Sequence, residues 1–114
     1  MRTITPEEVE LAFKETEYQP ASYLFLSIEK KQACAIGILG LITGCEQDQI
    51  LKWVSDNFDC RYEMGVTLGF KGYAKLGEQI LKEDVQGIVQ KGFDDGWEVR
   101  NHLKACGYKI KIEP

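Results

Sequence analysis

Glycine recurs at helical spacing inside the apolar stretches of this 114-residue chain. Residues 33–43 are apolar all round, as a central buried helix would be, and Gly37 and Gly40 lie within this segment. A glycine inside a helix costs up to about 1 kcal/mol relative to alanine. Close approach of another backbone would recover that cost, because glycine has no Cβ atom. The sequence therefore predicts a central helix with a neighbour packed at short range.

Four further helices are predicted around this one. Thr5 and Glu8 form a capping box, with Pro6 at the first helical position, and the helix that follows should end near Tyr18. Apolar residues at helical spacing predict the other three helices at about 46–57, 60–73 and 81–103. We therefore expect a mainly α fold of about five helices around one core, forming a single helical domain over residues 1–114.

A minor β element is also expected. Residues 23–28 have the length and aromatic content of a buried strand, although periodicity alone does not separate a strand from a buried helix here. Residues 108–112 alternate apolar and charged side chains, as a half-exposed edge strand would. If residues 23–28 are extended, the two segments could pair as a two-stranded element.

Composition excludes several classes of function. The formal net charge is −4, and the basic residues are scattered, so the clustered positive charge that nucleic-acid binding needs is missing. The longest uncharged run, residues 32–45, falls short of the roughly 20 residues of a membrane-spanning helix. The amino terminus does not resemble a signal peptide, so the four cysteines are interpreted as free thiols. These observations predict a soluble cytoplasmic protein with no nucleic-acid or membrane partner.

The segment Ala33-Cys34-Ala35-Ile36-Gly37 resembles a short Cys-Ala-aliphatic-Gly helix start found in small, uncharacterised bacterial and phage proteins. The resemblance covers a small part of the chain, and the motif is apolar. It implies a bacterial protein and no particular function. Cys34 itself is interpreted as a core residue, since burial disfavours the thiolate that a nucleophile needs.

The end of the last predicted helix carries the residues best suited to bind a metal. His102 and Cys106 are four residues apart and can point in the same direction, and Glu98 lies one turn earlier. Imidazole, thiolate and carboxylate are all zinc ligands. A structural zinc site usually has four protein ligands, however, and no second ligand pair is evident in the sequence. The simpler interpretation is a polar helix face whose histidine suits the helix dipole.

The glycine-containing stripes of the last two helices suggest a different function. If they are not covered within one chain, they would offer a flat apolar surface to a second copy. The candidate interface residues are Phe70, Tyr73, Gly92, Phe93, Gly96 and Trp97.

Two hypotheses follow for the function. The first is a helical protein-interaction module without catalytic activity, forming a homodimer or binding another protein. The alternative is a metal- or small-molecule-binding protein that uses the His102/Cys106 helix end. The single histidine and the absence of a nucleophile motif argue against an enzyme.

Overall fold

Six α-helices and three two-residue strands are present in the computed structural model, which describes residues 1–22 and 25–112. The mainly α class is confirmed, while the number of helices and the form of the β element differ from the prediction. The helices are α1 (Pro6–Glu15), α2 (Ala35–Ile42), α3 (Ile50–Asn57), α4 (Cys60–Lys71), α5 (Glu78–Glu83) and α6 (Ile88–Ala105), with a 3₁₀ turn at Gln47–Gln49 before α3. The strands are β1 (Gln19–Pro20), β2 (Leu26–Ser27) and β3 (Gln32–Ala33).

The amino-terminal helix α1 begins as its sequence predicts. The Thr5 hydroxyl accepts a hydrogen bond from the Glu8 N–H, and the Glu8 carboxylate accepts one from the Thr5 N–H at 2.9 Å. This reciprocal capping box satisfies two backbone donors at the helix start. The helix ends at Glu15, three residues before the expected Tyr18, because Thr16 adopts an extended conformation.

The β element is a three-stranded sheet with the order β1-β3-β2. Strand β3 pairs antiparallel with β2 and parallel with β1. The sequence leaves strand and helix both open for residues 23–28; the structure has a strand at Leu26–Ser27, while residues 23–24 lie outside the described part of the chain. The expected two-stranded element with residues 108–112 is wrong for the described residues, since β2 pairs with β3 and Lys111 forms a single bridge with Ala21. Because β3 occupies Gln32–Ala33, α2 begins at Ala35 rather than at Ala33.

Helices α4 and α6 pack against each other more extensively than any other pair of elements. A Cβ atom on Gly65 would lie within 3.0 Å of the Val89 carbonyl oxygen, and one on Gly69 would meet the Phe93 carbonyl oxygen in the same way. The backbones therefore touch, and the contact advances along both helices in the same direction, so α4 and α6 are parallel.

The contact is reciprocal, since glycines on α6 face α4. A Cβ atom on Gly92 would lie within 3.0 Å of the Tyr62 carbonyl oxygen, and one on Gly96 within 3.0 Å of the Val66 carbonyl oxygen. Each helix thus contributes two glycines four residues apart, the small-xxx-small spacing that lets helix backbones approach closely. Gly37 confirms the same expectation for α2, because the Phe25 backbone occupies the space of its missing side chain.

The long final helix predicted over residues 81–103 is two helices. Gly87 has a φ of +70°, in the left-handed region, and separates α5 from α6. The Asp84 carboxylate then accepts hydrogen bonds from the N–H groups of Val89 and Gln90, at 3.0 and 2.9 Å. The break therefore satisfies backbone donors at the start of α6. Gly107, with a φ of +93°, follows the end of α6, where a left-handed glycine is common.

A buried hydrogen-bond network joins the two parallel helices to the amino terminus. The Tyr62 hydroxyl donates to Asp95 Oδ2 at 2.6 Å and accepts from the Ile4 N–H at 2.9 Å. Lys91 Nζ donates to the other Asp95 oxygen at 2.9 Å. Burial, and then the hydrogen bond to Asp95, raise the pKa of Tyr62 well above its ordinary value. Asp95 is therefore part of the fold rather than a free acid or base.

The first prediction tests the glycine contact. Gly92→Ala should lower the free energy of unfolding by about 3 kcal/mol, because the new methyl group overlaps the α4 backbone and cannot turn away. Gly77→Ala is the matched control: its Cβ atom would meet nothing within 4 Å, and its φ of −66° is ordinary. We expect that control to change the stability by less than about 1 kcal/mol. Urea denaturation followed by circular dichroism measures both, and equal losses would contradict the packing argument.

Candidate functional site

The last turn of α6 places His102 and Cys106 on the same side of the helix. The Cys106 N–H donates to the His102 carbonyl oxygen at 3.0 Å, which keeps the helical spacing through Cys106. The Cys106 Sγ lies 3.8 Å from His102 Nε2. The two side chains that sequence spacing predicts as neighbours are therefore neighbours in the structure.

Glu10, on α1, is the third member of this cluster. Its Oε1 atom lies 2.9 Å from His102 Nε2, and the two side chains are each about one-third exposed. The donor atoms of Glu10, His102 and Cys106 all lie within 4.8 Å of one another. Glu98, the predicted third ligand, is exposed and is not part of this group. Glu10 takes its place because α1 packs against α6 and brings the carboxylate to the imidazole.

The three groups affect one another's protonation. Hydrogen bonds from His102, and then from Cys106, lower the pKa of Glu10, so its carboxylate is ionised at neutral pH. Desolvation, and then the hydrogen bond to Glu10, raise the pKa of Cys106. A thiol with a raised pKa is a poor nucleophile, because the thiolate is the reactive form. The cluster therefore does not favour a redox or nucleophilic role for Cys106.

The spacing of the donor atoms is close to that of a tetrahedral zinc site. Zinc bonds of about 2.0 Å to nitrogen or oxygen and 2.3 Å to sulfur place neighbouring ligand atoms roughly 3.4–3.6 Å apart. The observed distances from His102 Nε2 are 2.9 Å to Glu10 and 3.8 Å to Cys106. The Glu10 oxygen and the Cys106 sulfur lie within 4.8 Å of each other, so this separation must close by up to roughly 1 Å for all three atoms to surround one ion.

A shallow cleft of about 270 Å³ opens beside this cluster. Lys14 and Tyr108 line it together with Glu10 and Cys106. Glu10 and Lys14 are one turn apart on α1, so a cation and a carboxylate face the same opening. A ligand entering the cleft would approach the donor atoms from the solvent side.

The candidate interface residues divide into two groups. Four of them lie in the interior of the chain: Phe70, Gly92, Phe93 and Gly96. Trp97 and Tyr73 remain 36% and 54% exposed. Trp97 stacks on Phe93 with ring centroids 6.4 Å apart. The glycine stripes that motivated the dimer are thus covered by each other within one chain, and the interface stays a prediction for the two exposed aromatic residues.

Glu10 could not be identified from the sequence as a member of the cluster. It precedes His102 by 92 positions, and no motif marks a half-buried carboxylate on α1 as the partner of His102. Cys34, expected in the core, is partly buried and packs against the core, and desolvation raises the pKa of its thiol to about 11. The Asp95 carboxylate is already hydrogen-bonded by Tyr62 and Lys91.

Comparison with known proteins gives this site no external counterpart. None of the described helices is both long enough and apolar enough to cross a membrane. The resemblance of the Cys34 segment to small bacterial and phage proteins stays a prediction. No protein family model, curated protein or solved structure matches the chain, so the argument about function depends on the geometry of the chain itself.

Proposed function

We propose that this protein binds a transition-metal dication, zinc being the best match, through Glu10, His102 and Cys106. One observation carries the proposal: three donor atoms of three kinds lie within 4.8 Å of one another, on two helices far apart in sequence. Helix–helix packing creates this arrangement, so folding prepares the site before any ion arrives. Because the three side chains already lie close together, they lose less conformational entropy when the ion binds.

The ligand types select the class of metal. Thiolate and imidazole favour zinc and related transition metals, whereas magnesium and calcium prefer sites made only of oxygen atoms. Three protein ligands leave a fourth position of a tetrahedral ion open, the arrangement typical of zinc sites that bind a water molecule or a substrate. Lys14 beside the cleft favours an anionic group as the fourth ligand. The proposed function is therefore metal binding with an accessible coordination position.

A cytoplasmic location is part of the same proposal. All four cysteines are free thiols, and Cys106 must be reduced to bind a metal. A reducing compartment preserves that state.

The second prediction tests the ligand set. One Co²⁺ or Zn²⁺ ion should bind per chain, and Cys106→Ser or His102→Ala should weaken its affinity by about 100-fold or more, because each variant removes a metal bond. Isothermal titration gives the affinity, and the thiolate-to-cobalt absorption band reports Cys106 directly.

Two variants serve as controls for that experiment. Cys60→Ser removes another exposed thiol, at the start of α4, and Glu98→Gln removes the carboxylate that sequence spacing favoured. Neither residue belongs to the cluster, so both variants should bind as the wild type does. Unchanged affinity in Cys106→Ser and His102→Ala would contradict the proposal, as would the absence of any uptake.

The third prediction concerns pH. Because the pKa of Cys106 is raised, its thiol is protonated at neutral pH and must lose a proton when the metal binds. The affinity should therefore rise by at least about 10-fold from pH 6.5 to pH 8.5. Glu10 contributes nothing to this rise, because its lowered pKa keeps it ionised throughout that range. Titrations at the two pH values check this, and a flat profile would contradict a thiolate ligand.

Self-association remains a second candidate function, supported by the exposure of Trp97 beside the buried Phe93. The fourth prediction is that Trp97→Ala lowers the molecular mass in solution, because it removes an exposed aromatic surface at the proposed contact. Native mass spectrometry measures this directly. A wild-type protein that is already a monomer would contradict the candidate, whatever the variant does.

A further inference from the structure

A second cavity lies away from the metal cluster, between the start of α2 and one face of α4. Its volume is about 290 Å³, roughly twice that of a cavity known to hold one benzene molecule. Apolar side chains form most of its wall, as in many small-molecule sites. The described residues that line it are Ser22, Phe25, Cys34, Ala35, Ile36, Glu63, Val66, Thr67 and Phe70.

Ser22 supplies an unsatisfied polar group to this cavity. Its side chain is 5% exposed, and its Oγ atom is fully buried without a hydrogen-bond partner among the described residues. The Ser22 N–H is satisfied by the Lys111 carbonyl oxygen at 2.9 Å, so only the hydroxyl is left over. A buried hydroxyl without a partner is destabilising. Because the Oγ atom has no accessible surface, a ligand in the cavity reaches it only if the Ser22 side chain rotates toward the ligand.

Glu63 supplies the charge. The Thr67 hydroxyl lies 3.0 Å from the Glu63 carbonyl oxygen and 3.2 Å from the Glu63 carboxylate, so these two acceptors share its one proton. No lysine or arginine of the described chain forms an ion pair with the carboxylate. The Glu63 side chain is half-buried, and this partial burial raises the pKa of its carboxyl group. Every other side chain of the described lining is uncharged at neutral pH, since the Cys34 thiol is protonated.

The start of α2 also lines the cavity, but it does not provide an open site for an anion. Cys34 is the N-cap residue, and its Sγ atom accepts a hydrogen bond from the Gly37 N–H at 3.3 Å. A side chain of the protein thus already occupies the position at which an anion would meet the helix end. The polar groups that remain, on Ser22, Glu63 and Thr67, include two neutral hydroxyls and one carboxylate.

We infer that this cavity binds a small organic amine, with its ammonium group at the Glu63 carboxylate and its hydrocarbon body along the apolar wall of the cavity. An ammonium group donates three hydrogen bonds, which suits a carboxylate and neighbouring hydroxyl oxygens. Burial of the apolar body removes its surface from water, which favours binding. The volume accommodates one ring with a short side chain. This inference is independent of the proposed metal site.

The test compares three probes that share one ring and differ in one group: phenethylamine, 2-phenylethanol and 3-phenylpropanoate. Nuclear magnetic resonance titration of the full chain measures the affinity, and the shifted resonances locate the site. We expect phenethylamine to bind at millimolar concentration or below and at least 10-fold tighter than the alcohol, with the largest shifts at Ile36 and Val66. No binding of the amine, equal binding of amine and alcohol, or tighter binding of the carboxylate would each overturn the inference.

Substitutions then identify the groups responsible. Glu63→Gln keeps the shape of the side chain and should weaken phenethylamine binding by at least 10-fold. Glu98→Gln, an equal change of charge on the exposed face of α6, should leave it unchanged. Thr67→Leu narrows the cavity and should reduce binding of both amine and alcohol, which keeps the test decisive if Glu63→Gln fails to fold. Unchanged amine binding in either cavity variant would overturn the inference, and unchanged zinc affinity in both would keep it distinct from the metal site.

Discussion

The contact between the backbones of α4 and α6 is the constraint on which the rest of the structure depends. It requires glycine at Gly65, Gly69, Gly92 and Gly96, because a Cβ atom at any of them would overlap the opposite backbone. It also fixes the relative position of the two helices along their axes. That register brings Tyr62 to hydrogen-bonding distance of Asp95. A polar network buried beside the contact is stable only if this alignment is kept, since an unpaired buried carboxylate is costly.

Both proposed binding sites are built on these two helices. The far end of α6 carries His102 and Cys106, and α1 packs there and contributes Glu10. Helix α4 contributes Glu63 to the wall of the cavity, and the start of α2 contributes other residues of the same wall. Neither site lies on one continuous segment of the chain. Helices α6 and α4 each supply part of one site, and α1 and the start of α2 complete the metal cluster and the cavity, respectively.

The limits of sequence interpretation follow from this arrangement. Features fixed within one turn are predictable, as the confirmed Thr5–Glu8 capping box illustrates. The apolar spacing around Gly87 favours one continuous helix, yet a left-handed glycine and the Asp84 cap divide it. The partner of His102 could not be predicted at all, because it depends on which helix packs there. Local hydrogen bonding leaves a pattern in the sequence, whereas a contact across 92 positions does not.

The two proposed sites differ in whether their polar groups are hydrogen-bonded or paired when no ligand is bound. In the metal cluster, Glu10 and His102 hydrogen-bond each other, so the fold satisfies these groups without an ion, and a metal must displace that interaction. In the cavity, no described residue gives the Ser22 hydroxyl a hydrogen-bond partner or pairs the Glu63 carboxylate with a cation. A ligand there would add interactions without displacing any ion pair of the protein. Ligand binding to the folded state alone stabilises it in proportion to the logarithm of ligand concentration. The cavity is therefore where modest intrinsic affinity translates most directly into stability.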